Sequence, residues 1–395
     1  MNNAGEALLA RMEDMVPDLR ARGRAAEEAG RIPDATIEAL QRAGAFRAVV
    51  PKSHGGLELD FPVIPQILRI LGQGCVATSW TMGFLIYHNF QFAHFSEKAQ
   101  KEVWGGRGYT MAPGHIMPSG TAIPVDGGYR VSGRWGYATG ILHADWVLFS
   151  APVTAKSGKQ PKGVPDLRRF YVPVEDCDIM DGWDVSSMAA TGSYDMGLTD
   201  VFVPEHRQVK IASVIAQTSP GLELNKGPLW RTPFVSFTSL IAVAPMIGGT
   251  EALFEFTSDI LKTKVGAQSG ARQQQLMTQQ VRLARLKMTL KAMRCLWQEE
   301  LDFVWEKTTG GAALSLAERA EARMVAAHCA RICDDIANEL AVSVGSRSIF
   351  NDAPMQRFRR EINALATHAF FDHDHLASLY GGTLLGADLP AHAML

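Results

Sequence analysis

The 395 residues amount to two to three times a typical domain of about 150, and 47% hydrophobic with 20% charged residues fits a folded protein with a large core. Lysine and arginine total 39 against 41 acidic residues, a formal charge of −2 that offers no basic field to nucleic acid or an anionic membrane surface. Five cysteines, an odd number in a long chain, argue against a disulfide framework and for a reducing, cytoplasmic setting. The opening residues, MNNAGEALLARMEDM, lack the regions of a secretory signal. The most apolar stretch, 234–249, is interrupted by Pro245 and is too short to span a bilayer. The expectation is an enzyme-sized chain outside the membrane.

In chain order, Leu8, Met12, Met15 and Leu19 keep one helical face apolar, and Phe61, Ile64, Leu68 and Leu71 repeat the pattern. Pro33 and Asp34 predict a helix start, and residues 51–56 (PKSHGG) a break. From Met111 onward the character changes. Short aromatic and β-branched runs between turn residues (GYRV, SGRW, ADWVLFSAPV, RFYVPV) predict a β domain, with the polar segment 154–166 as an exposed hairpin loop. After Pro220 the helical spacing returns. Leu286, Leu290, Met293, Trp297, Leu301 and Val304 form one stripe, Cys329, Cys333, Ile336, Leu340 and Val344 a second, and Ile362, Leu365, Ala369, Leu376 and Leu379 a third. Long helices with such stripes bury them against each other or against a partner chain. The expected organisation is a helical domain at 1–110, a β domain at 111–220 and a helical bundle at 221–395.

No GxGxxG and no GxxxxGK[ST] occurs, so a self-contained nicotinamide-binding domain is not expected, and no serine sits in a GxSxG elbow. Cys329 and Cys333 fall on an apolar helix face and read as core, not as metal ligands. Near the C-terminus, His368, Asp372 and His375 are spaced four and three apart, which on a continuous helix places them on one face. Asp372 would then lie on the third stripe, point inward and fix the tautomer of a histidine one turn away. A satisfied polar network at a helix interface has the same spacing. No further cluster supports a metal at DHDH, 372–375, and no metal is expected. His88 lies among Tyr87, Phe90, Phe92 and Phe95, which suits either a small-molecule pocket or a packed core. Residues 133–140, GRWGYATG, read as a strand ending in a glycine turn that presents the Thr139 hydroxyl.

In order, these pieces resemble the acyl-CoA dehydrogenase fold and, within it, the flavin-dependent monooxygenases that form the oxygenase half of two-component systems. The likeness runs from about residue 15 to residue 387. It is carried by LQRAGAFRAVVPKSHGGLELDF (40–61), VDGGYRVSGRWGYATGILHADWV (125–147), TGSYDMGLTDVFVPEHR (191–207) and PMQRFRREINALATH (354–368). Dehydrogenases of this fold carry a catalytic glutamate nine positions beyond the helix arginine, which counts to Ala369 here, and the alternative glutamate site falls in WRTPF, 230–234, with no acid. The oxygenase branch has a histidine eight beyond that arginine, which is His368. The resemblance therefore implies an oxygenase and leaves an acyl-CoA dehydrogenase-type flavoprotein, or a relative oxygenating an amine or a sulfur heterocycle, as the alternatives. Glu361 stands where the relatives have aspartate, and Thr139 where they often have serine.

What the resemblance implies is an α+β fold with an N-terminal helical domain, a central β-barrel or sandwich and a C-terminal four-helix bundle. It also implies reduced FMN or FAD from a separate NAD(P)H-dependent flavin reductase, dioxygen, a C4a-hydroperoxyflavin, a small aromatic (phenolic or indolic) substrate and a homotetramer. Thr139, with Tyr137 and Ala138, would hold flavin N5, and Gly192 and Ser193 would line the ring. Lys264 and Arg347 would meet phosphate. His368, oriented by Asp372, would be the leading base, and His88, facing the substrate from the opposite side, the second.

Overall fold

A computed structural model of the chain describes residues 3–115, 117–155, 165–266 and 270–389. Five helices come first: α1 (Asn3–Ala29), α2 (Asp34–Ala43), α3 (Val63–Gly74), α4 (Val76–Phe92) and α5 (Glu97–Trp104). Pro33 stands at the N-cap of α2, and the predicted break at 51–56 is a single 3₁₀ turn, Lys52–His54, closed by Gly55 at φ 79°. Seven strands follow: β1 (Thr121–Val125), β2 (Gly128–Ala138), β3 (Trp146–Pro152), β4 (Leu167–Pro173), β5 (Asp178–Met180), β6 (Tyr194–Pro204) and β7 (Gln208–Lys210). The remaining helices are α6 (Ile211–Ile215), α7 (Phe234–Ala242), α8 (Ala244–Thr263), α9 (Met277–Thr309), α10 (Leu316–Val344), α11 (Pro354–Ala366) and α12 (His373–Leu384).

The elements gather into two compact units. One comprises Met1–Leu8, Ala25–Asp60 and Thr81–Phe234, and the other Leu9–Arg24, Phe61–Trp80 and Val235–Leu395. In the first unit the strands build a four-stranded sheet in the order β1-β2-β6-β5 and a three-stranded sheet in the order β3-β4-β7, all pairs antiparallel. Alternate residues of each strand point between the sheets, so Val131, Trp135, Phe149, Phe170, Val172, Met196 and Leu198 form one buried core. Trp135 is fixed within it by an Nε1–H bond to Ser150 O at 2.9 Å. β3 and β4 pair as a hairpin, as expected, and residues 156–164 of the predicted loop lie outside the described residues.

In the second unit α8, α9, α10 and α11 pack as a four-helix bundle. Every member of the first two sequence stripes is buried, and Cys329 and Cys333 face Met293 as core side chains. Burial pushes the Cys329 thiol up to about 12, so it is inert at neutral pH. Helix α3 joins the bundle by lying against α8 at glycines. A Cβ at Gly248 would stand 1.9 Å from Arg69 O, so only hydrogen allows this approach.

The third stripe is not one helix. α11 ends at Ala366, residues Ala369–Phe371 make one 3₁₀ turn, and α12 starts at His373. The break corrects the expected shared face of His368, Asp372 and His375. Asp372 is exposed, and its carboxylate accepts the His375 N–H at 3.1 Å as the N-cap of α12. Two capping residues in five positions, His368 and Asp372, each hold backbone N–H groups that a continuous helix would need, and so stop it.

Candidate active site

In the first unit, β2 ends in a strained corner. Tyr137 takes φ 67° at a register shift between β2 and β6, and Gly140 takes φ 81°. That corner brings Thr139 beside Ser193, and the three hydroxyls of Thr139, Ser193 and Thr191 form a chain, all buried. Thr191 Oγ1 lies 2.8 Å from Met188 O, Ser193 Oγ 2.7 Å from Thr191 Oγ1, and Thr139 Oγ1 2.9 Å from Ser193 Oγ. A carbonyl only accepts, so the Thr191 proton goes to Met188. Ser193 must then donate to Thr191, and Thr139 to Ser193. The relay spends the Thr139 proton inward and leaves its oxygen as a pure acceptor. Ala138 is buried beneath it, Gly192 (φ 52°) abuts Gly30 O, and Tyr137 is largely exposed against Trp183. The structure thus brings Tyr137, Ala138, Thr139, Gly192 and Ser193 together.

His88 is set by α4. One residue on, Asn89 accepts from Thr110 N–H and Trp104 Nε1–H and donates to Thr110 O, which ties segment 110–112 to the helix. Ala112 O is thereby held 2.6 Å from His88 Nδ1. Nδ1 must carry the proton, and Nε2 is a lone pair, buried and without a partner among the described residues. Burial, reinforced by Arg169 and His115, pushes the imidazole down to about 3, so it is neutral throughout the physiological range. The ring packs edge-on to Phe84 and against Gly114, where a Cβ would stand 2.9 Å from its Cε1. The expected aromatic wall is mostly core: Phe92 and Phe95 pack on Tyr171, and Phe90 on Trp230.

His368 belongs to the second unit. As N-cap of its 3₁₀ turn it accepts the Phe370 N–H at Nδ1, 3.2 Å away. The neutral ring therefore carries its proton on Nε2, the reverse of His88. Trp80 meets it edge-on at 5.2 Å, Phe370 lies at 5.1 Å, and burial pushes it down to about 4. The expected orientation by Asp372 is replaced by a backbone amide. Glu361, in α11, accepts the Ala77 N–H at 3.2 Å.

Across nearly its whole length the chain is 32% identical to the pigment production hydroxylase of Rhodococcus sp. (strain ATCC 21145), covering 97% of each chain. It is 30% identical to the flavin-dependent monooxygenase oxygenase subunit HsaA of Rhodococcus jostii (strain RHA1), over 94% of this chain and 96% of that one. This protein belongs to the flavin-dependent monooxygenases of the acyl-CoA dehydrogenase family. The family profiles "Acyl-CoA dehydrogenase, N-terminal domain" and "C-terminal domain" match residues 6–109 and 240–373. Among solved structures, the 3-HSA hydroxylase of Rhodococcus sp. RHA1 superposes with a TM-score of 0.91 at 28% identity, covering 97% and 98% of the two chains. XiaF from Streptomyces sp., solved with FADH2 and glycerol, superposes with a TM-score of 0.90 at 26% identity, covering 98% of each. The chain is an oxygenase that uses reduced flavin.

The monooxygenase places Ala369 in the 3₁₀ turn where a dehydrogenase glutamate would stand. Lys264 and Arg347 lie near the C-terminal end of α10, but each has a protein partner: Lys264 Nζ donates to Val344 O, and Arg347 Nη2 to Asp352 at 2.7 Å. Sequence reading overlooked Thr191, Gln91, His115 and Arg169. The last left a readable sign, an arginine at the head of the apolar run RFYVPV.

Proposed function

We infer that the monooxygenase hydroxylates a small aromatic compound carrying an acidic ring hydroxyl or indole N–H, and that His88 accepts a hydrogen bond from that group. The observation that carries this reading is the buried, unpartnered Nε2 lone pair of a neutral imidazole whose other nitrogen is locked by Ala112 O. A group that draws on a ring hydroxyl or indole hydrogen must offer it a lone pair, and His88 offers one where His368 offers a hydrogen. His368 Nε2–H acts as a hydrogen-bond donor to oxygen. This reverses the order expected from the sequence, in which His368 led.

The residues at the β2 corner fit a reduced flavin, because the Thr139 oxygen, its own proton spent on Ser193, complements the N–H that reduced flavin carries at N5. When bound, the cofactor supplies activation of dioxygen and transfer of one oxygen atom. Thr139 would orient the ring at that nitrogen, and Gly192 leaves the corner without a side chain. The HsaA relative is named an oxygenase subunit, which supports reduction on a separate NAD(P)H-dependent flavin reductase. The cofactor is reduced FAD or FMN, with FADH2 the form bound in the Streptomyces relative. Exposed Met288, Val342, Ile349 and Phe350 in the second unit support self-association, a tetramer by our reading. Light scattering of the purified chain measures that state.

The deciding experiment supplies photoreduced flavin, oxygen and a panel of phenols and indoles to the purified chain. Product per flavin oxidised is expected to be substantial for at least one phenol or indole. Rapid reduction of enzyme-bound oxidised flavin by an acyl-CoA, with no reductase present, would overturn the reading.

A further inference from the structure

Arg169 is the anomaly of the first unit. On β4 its neighbours Phe170 and Val172 point into the inter-sheet core, so Arg169 and Tyr171 occupy the other face. Tyr171 is covered there by Phe92 and Phe95, and Arg169 is 5% exposed. Its Nη1 donates to Gln91 Oε1, and the Phe234 ring centroid lies 5.9 Å from the guanidinium carbon. No ion pair to Arg169 exists among the described residues, and its Nε is buried without a partner.

Beside it, three more buried polar atoms lack partners among the described residues: Gln91 Nε2, His115 Nε2 and His88 Nε2. Gln91 follows His88 by three positions on α4, which puts both on one helix face. Burial first, and the charge of Arg169 with it, disfavours protonation of both imidazoles, while Asp195 favours that of His115. A buried guanidinium is normally paired with a carboxylate or phosphate, and an unpaired one bears the full cost of burial until an anion meets it. With both histidines neutral, Arg169 supplies the positive charge of the cluster, Asp195 acts on His115 with the opposite sign, and Gln91 adds an amide N–H.

We propose that Arg169, held in place by Gln91, pairs with an anionic oxygen of the aromatic substrate next to His88. This deepens the reading given above, since it takes His88 as the group that meets the substrate. The shared chemistry is an oxyanion, either the ring phenolate itself or a carboxylate on the ring. A neutral hydrocarbon or sulfur heterocycle gains nothing from Arg169.

The test measures ligand binding to the flavin-free enzyme with three probes: 4-nitrophenol, benzoate and 4-hydroxybenzoate. The visible band of 4-nitrophenol reports its ionisation directly. Wild-type protein is expected to lower the apparent pKa of bound 4-nitrophenol by about one unit, a tenfold preference for phenolate, and Arg169→Gln to abolish the shift. If the source is a carboxylate instead, 4-nitrophenol shows no shift, and benzoate and 4-hydroxybenzoate lose about tenfold in affinity in Arg169→Gln. Gln91→Leu leaves the charge but frees the side chain, and is expected to show part of either loss. Melting curves and flavin binding of both variants establish that they fold. Folded Arg169→Gln that binds all three probes like wild type overturns the proposal. In that case hydroxylation of phenols by wild type, lost in His88→Ala, would still uphold the His88 reading, and full activity of His88→Ala would sink that reading separately.

Discussion

His88 and His368 are both imidazoles driven to low pKa by burial, yet they offer opposite atoms to whatever meets their Nε2. On α4 a carbonyl faces Nδ1 and demands its proton; at the end of α11 an amide N–H faces Nδ1 and demands its lone pair. The difference lies in the backbone. A helix-borne histidine met a neighbouring segment pinned by Asn89, whereas His368 caps a turn of its own chain. Residue type and pKa alone would have called the two equivalent.

The sharpest way to break the comparison is to delete each ring. His88→Ala is expected to cut product formation about 10²- to 10⁴-fold while flavin oxidation continues as peroxide release, read as product per flavin. A loss under about tenfold would remove His88 from the role of hydrogen-bond acceptor for the substrate.

The next effect is on stability. The folded pKa values of His88, His94 and His115, about 3, 4 and 4, lie below the unfolded value near 6.5. Below that value the unfolded chain binds more protons, so this stability is complete above pH 6.5 and drains as pH falls toward 3 to 4. At pH 5 the loss is up to about 2 kcal/mol for each ring, measurable by urea unfolding at pH 7.5 and pH 5.

A finer test separates donor from acceptor. Glutamine can replace an Nε2–H, so His368→Gln is expected to retain about tenfold more activity than His368→Ala. Equal losses in the two variants would mean that His368 does not act through its proton. The smallest effect comes from the second unit, where burial and then Glu321 raise the Glu300 carboxyl to about 7. Its stability contribution is full below pH 4.5 and is lost as pH rises through 7, the reverse of the histidines. Glu300→Gln is expected to stabilise the protein at pH 8 by on the order of 1 kcal/mol, and to change little at pH 4.5.

The stripes of α9 and α10 were legible because apolar side chains at helical spacing have one place to go, and all of those residues are buried. The third stripe misled because no glycine or proline marks the break after Ala366; two polar side chains acting on local backbone N–H groups make it, and spacing cannot show that. The Thr139 corner was legible as a hydroxyl on a glycine turn. Its polarity was not, since that depends on Thr191, more than fifty residues away, and on the carbonyl of Met188. Arg169 could have been found by asking why a strand otherwise fit for a core carries a charge.

The two units are each threaded from three separate stretches of chain. The first holds all its residues once Phe234 has been synthesised, so it can close while the ribosome is still at work. The second cannot. Its early stretches, Leu9–Arg24 and Phe61–Trp80, include Leu19, Ile64, Leu68 and Leu71, which are buried in the finished protein. Those side chains wait for α8 to α11 to emerge, and the interval is when a nascent chain of this protein most needs a chaperone.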